Sequence, residues 1–78
     1  MSEFQGTVSG IDVIATTGQP TRCFAFVGEQ SNEIQVITEN HALQTALELA
    51  CAKEVTIEIS FVEQKPHKKL TRVRLLNR

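Results

Sequence analysis

The residues of this chain best suited to chemistry crowd its C-terminal end, where Lys65, His67, Lys68, Lys69, Arg72, Arg74 and Arg78 follow one another closely. Residues 64–78 hold six cations and no acid, whereas residues 1–63 hold all nine acids against only Arg22 and Lys53. The two segments therefore carry +6 and −7, which combine to the net charge of −1. Ammonium and guanidinium groups at this density suit a phosphate backbone, because such cations dominate the affinity of nucleic-acid binding. They equally suit the offsetting of acids across a hairpin, with Arg72 and Arg74 near Glu58 and Glu63, or of acids on a neighbouring subunit. Pairs of that kind are common and individually weak. A net charge near zero is unlike a typical nucleic-acid binder and favours the offsetting use.

A second set lies at Arg22, Phe24 and Phe26, which share one face of an extended segment, while Cys23, Ala25 and Val27 share the other. Aromatic rings on an exposed strand give bases or sugars a surface to stack on. The chain has only four phenylalanines, however, and the need to build a core from few large residues predicts that Phe24 and Phe26 face inward.

Other chemistry is sparsely supplied. His41 and His67 have no carboxylate or cysteine at metal-ligand spacing and read as solvated surface residues, His67 at a loop tip. Cys23 and Cys51 lack the close spacing of a zinc site or a disulfide framework and read as small buried hydrophobes. No nucleophile, base and orienting group come together by spacing, and no glycine-rich phosphate loop follows a strand. These features predict a protein that is not an enzyme and that uses no cofactor or metal.

The elements that must position these residues are short. From Phe4 to Thr16 the apolar residues Phe4 and Val8, then Ile11, Val13 and Ala15, change phase near Gly10, as an extra residue at a bulge would make them do. A strand bent there contributes to two sides of a closed sheet. Thr17-Gly18-Gln19-Pro20 is a turn, a second strand runs from about Thr21 to Val27, Gly28 to Asn32 is a second turn, and Glu33 to Thr38 is a third strand. The period then becomes helical: Leu43, Ala46, Leu47, Ala50 and Cys51 form one apolar stripe behind an N-cap at Asn40. Strict alternation over Val55, Ile57, Ile59 and Phe61 marks a fourth strand. A fifth strand, from about Leu70 to Leu76, follows the loop Lys65-Pro66-His67-Lys68-Lys69. A loop centred on His67 sets Phe61 opposite Val73 and Ile59 opposite Leu75. Leu49, Val62 and Leu76 fall off the core faces and invite a partner.

The order β-β-β-α-β-β, mainly strand with one helix, is that of the five-stranded OB-fold barrel, whose strand 2–3 face and β4–β5 loop bind oligonucleotides and oligosaccharides. Residues 40–50 (Asn-His-Ala-Leu-Gln-Thr-Ala-Leu-Glu-Leu-Ala) with Val55-Thr56-Ile57-Glu58-Ile59 resemble the corresponding part of the Shiga-type toxin B subunits. That resemblance implies an OB-fold, assembly into a ring and a glycan-binding face; the family disulfide between the first and fourth strands has no counterpart in Cys23 and Cys51.

The expectation is thus a single 78-residue domain with Arg22, Phe24, Phe26, Lys65, His67, Lys68, Lys69, Arg72 and Arg74 as its binding residues. Nucleic acid or another polyanion is the first ligand class, and a glycan- or protein-binding homo-oligomer is the alternative. No run approaches the roughly 18 apolar residues needed to cross a bilayer, and the start lacks the pattern of a signal peptide, which predicts a cytoplasmic location without membrane insertion. A domain this small buries only about 60% of its unfolded surface, so sharing surface with a second copy would add stability.

Overall fold

The computed structural model describes residues 2–28 and 32–76. Its first strand, β1 (Ser2–Ile14), is long enough to serve two sides of a barrel because an extra residue divides it. Ser2 to Thr7 pair with β4 (Thr56–Gln64), Val8 to Ile14 pair with β2 (Arg22–Val27), and the register slips between Val8 and Gly10, leaving Ser9 unmatched. The phase change near Gly10 is therefore a bulge, as the sequence implied. Gly6 is needed where the barrel turns: a Cβ there would lie 2.7 Å from the Gly28 Cα, too close for any side chain.

The turn at Thr17–Gln19 is closed by the Gln19 N–H donating to the Thr16 carbonyl at 3.0 Å, with Gly18 at a φ of 80° that favours glycine. The expected second turn lies partly on residues 29–31, outside the described residues. β3 (Ile34–Thr38) runs antiparallel to β2 and meets β5 (His67–Leu75) in parallel at Ile37 and Lys69, and β5 pairs along β4. The result is a closed barrel of order β1-β2-β3-β5-β4, the arrangement expected of an OB-fold.

Helix α1 (His41–Lys53) begins where the Asn40 side chain accepts from the Leu43 N–H at 3.0 Å. It packs on β1, β3 and β5, strands that one helix can reach together only across an end of the barrel. Leu47 and Ala50 have no exposed surface and join Cys23, Ala25, Val27, Val36, Ile57, Ile59, Phe61 and Leu70 in a single core. Each large side chain so buried contributes roughly 1.5–3 kcal/mol against exposure.

Three expectations need correction. Phe24 and Phe26 face outward: the small side chains of Cys23, Ala25 and Val27 fill the interior instead, each with no exposed surface. Val13, expected beside Ile11 on the core side, is 41% exposed because β1 runs on past the core. The last hairpin turns at Lys65-Pro66, with Gln64 opposite His67, so His67, Lys68 and Lys69 lie on β5 and not on a loop. Ile59 then faces Val73 and Ile57 faces Leu75, two residues from the expected register, with a bulge at Thr71 whose hydroxyl donates to the Ser60 carbonyl at 3.0 Å.

Candidate functional site

The outer surface of β1, β2, β3 and β5 is a grid set by register. Asp12 lies opposite Phe24, Phe24 opposite Ile37, and Ile37 beside Lys69. Paired residues project to the same side of a sheet, so these four form a row that crosses the strands. On one flank lie Gly10, Phe26 and Gln35; on the other lie Ile14 and Arg22, whose Nε is 3.4 Å from the Glu39 carboxylate.

The two phenylalanines are presented differently. Phe26 is 37% exposed and lies beside Gly10. Phe24 is half-buried because His67 meets it edge-on, with ring centroids 5.9 Å apart and planes at 71°, a favourable aromatic geometry. His67 stands between two hollows of about 250 Å³ each. Arg22, Thr38, Glu39, Gln64 and Lys69 line the first; Phe24, Ile34, Gln35, Pro66 and Lys68 line part of the second; Ile37 and His67 border both. The floor is firm, since the buried Thr38 hydroxyl accepts from the Asn40 N–H at 3.0 Å.

The cations here are accessible. Lys68 Nζ lies 3.2 Å from the Glu63 carboxylate, and in this pair, as in Arg22–Glu39, every side chain is more than a third exposed. Pairs so solvated are worth roughly 0–1 kcal/mol, so either cation can turn toward an incoming anion at little cost. Lys69 has no ion pair among the described residues. Glu33 accepts a hydrogen bond from the Ser9 hydroxyl, which holds that carboxylate against β1. Among the described residues no three His, Cys, Asp or Glu side chains group as metal ligands.

Of the residues singled out from sequence, Arg22, Phe24, His67, Lys68 and Lys69 line the two hollows, and Phe26 flanks them on β2 without lining either. Lys65 sits in the turn and lines neither hollow. Arg72 and Arg74 lie beyond the Thr71 bulge beside β4, opposite Ser60 and Glu58, with the Arg74 guanidinium 3.9 Å from Glu58. The offsetting pair anticipated for Arg74 and Glu58 therefore forms, while Glu63 pairs with Lys68 and not with an arginine. Sequence reasoning missed Ile37, Gln35, Gln64 and Asp12. For Ile37 a signal existed: Val36 and Ile37 are adjacent, and neighbours on a strand cannot both face the core.

Beneath the grid, burial pushes the Cys23 thiol pKa up, and the negative charge of Glu48 adds to the effect. No family model, no curated protein and no solved structure matches this chain.

Proposed function

We propose that this protein is a non-enzymatic module that binds a polyanion, above all a single-stranded nucleic acid, across the outer face of β2, β3 and β5. The observation that carries the reading is the outward placement of Phe24 and Phe26, with Lys68 in the hollow beside Phe24 and Arg22 and Lys69 in the hollow across His67. A ring on which a base stacks, beside a groove of cations that follows the backbone, is the combination by which OB-folds hold single strands without reading sequence. Phe24 and Phe26 sit two apart on one strand, so successive bases of an extended strand meet successive rings.

Fluorescence anisotropy with a labelled thymidine oligonucleotide tests this. Binding in low salt is expected to weaken as salt is added, with a logarithmic slope of about −0.7 per phosphate contacted. The double variant Lys68→Glu with Lys69→Glu abolishes it, and Phe24→Ala weakens it by about tenfold, in keeping with a stacking contribution of ~1–3 kcal/mol per base. Arg72→Glu, outside both hollows, leaves it almost unchanged. No binding in low salt, or binding indifferent to the lysine reversals, removes the proposal.

Self-association is a second reading, favoured by the exposure of Leu49 (45%) on α1 and Ile14 (48%) at the end of β1. A ring of copies presenting a glycan- or protein-binding face, as in the toxin B subunits, is its fullest form. Association through α1 is compatible with a nucleic-acid groove, since Leu49 lines neither hollow, whereas Ile14 flanks the groove beside Arg22.

A further inference from the structure

The central row of the grid has an apolar middle and opposite charges at its two ends. It starts at the Asp12 carboxylate on β1, crosses the ring of Phe24 and the side chain of Ile37, and ends at the Lys69 ammonium on β5. Four neighbouring strands place its ends about 14 Å apart. The exposed Asp12 carboxylate has no ion pair or hydrogen bond among the described residues, whereas Glu33 accepts from the Ser9 hydroxyl and Glu39 carries a weak, solvated pair with Arg22. Asp12 is thus the acid opposite Phe24, and its carboxylate oxygens are available to a ligand without the breaking of any pair.

Resting on the nucleic-acid reading above, we infer that Asp12 is a specificity-determining residue that selects bases carrying hydrogen-bond donors, guanine foremost, for the position stacked on Phe24. The charges at the ends of the row orient the nucleotide. Its phosphate is drawn to Lys69 and repelled by Asp12, so a base lying on Phe24 points its outer edge toward β1. A carboxylate is an acceptor only. Guanine offers N1–H and N2–H side by side on its Watson–Crick edge and satisfies both carboxylate oxygens. The cytosine amino group satisfies one. Thymine and uracil present two carbonyl oxygens flanking a single N–H, and those oxygens meet the carboxylate unfavourably. A polyanion without bases gains nothing at Asp12 and is repelled there, so the same residue separates nucleic acid from polyphosphate or a sulfated glycan.

The test compares a labelled thymidine octamer with the same strand carrying one central guanine, by anisotropy in low salt. The guanine strand is expected to bind about tenfold tighter to the unaltered protein, while Asp12→Asn and Asp12→Ala each bring the two strands within about twofold, as loss of a bidentate base contact requires. Thermal unfolding of both variants checks that this exposed substitution leaves the barrel intact. Equal affinity of the unaltered protein for the two strands, or a preference that survives both substitutions, overturns the role of Asp12 and leaves the groove standing. Failure of either strand to bind the unaltered protein removes the nucleic-acid reading and this inference with it.

Discussion

Cys23 shows how one side chain ties stability to pH. It has no exposed surface, and both desolvation and the charge of Glu48 favour its neutral form in the folded state. A thiol whose folded pKa exceeds its unfolded value of about 8.5 contributes stability that is complete below that value and is lost as pH rises through the folded one. Urea unfolding should therefore show a fall in stability above about pH 8.5, and Cys23→Ala should flatten that fall while lowering the plateau. A pH profile identical in the two proteins would place the alkaline sensitivity elsewhere. The neighbouring phenylalanines carry the other residue-level lesson. Alternation divides β2 into Arg22, Phe24 and Phe26 against Cys23, Ala25 and Val27, and says nothing about which set looks inward. Leu47, Ile57 and Ile59 already occupy the barrel interior, which leaves room only for the small side chains of β2.

At the scale of elements, α1 was the most legible part of the chain. Its stripe and its cap are local features, and both appear where the residue types put them: Leu47 and Ala50 are buried, and Asn40 accepts from Leu43. A 13-residue helix is marginal alone and depends on packing and on its cap. Asn40→Ala should destabilise the protein by about 0.5–2 kcal/mol in urea titration, with Asn40→Gly costing only a few tenths. Equal losses for both would mean that the Asn40 side chain does not act as a cap. The β4–β5 hairpin was less legible for a specific reason. Sliding one strand by two residues returns every side chain to its original face, so the alternation of Ile57, Ile59 and Phe61 fits the expected and the observed registers alike. The two-residue turn at Lys65-Pro66 and the bulge at Thr71 decide between them, and they move His67, Lys68 and Lys69 from a loop onto β5. That move places Lys69 beside Ile37 and His67 against Phe24.

For the whole molecule, closure of the sheet limits exposed strand edges but leaves apolar side chains outside it, among them Val13, Ile14 and Leu49. Light scattering over a range of concentrations should show association that Leu49→Lys reduces without lowering the unfolding midpoint, since Leu49 lies outside the core. A strict monomer at every concentration would sink the self-association reading. Periodicity along the chain was enough to establish the order of strands and helix, the bend in β1 and the two faces of β2, because each depends on residues close together in sequence. The site depended on something else. Asp12, Phe24, Ile37 and Lys69 are separated by 12, 13 and 32 positions and become one row only through strand registers and barrel closure. Packing also decided which face of β2 met solvent, since the volume available inside the barrel is a property of all its strands together.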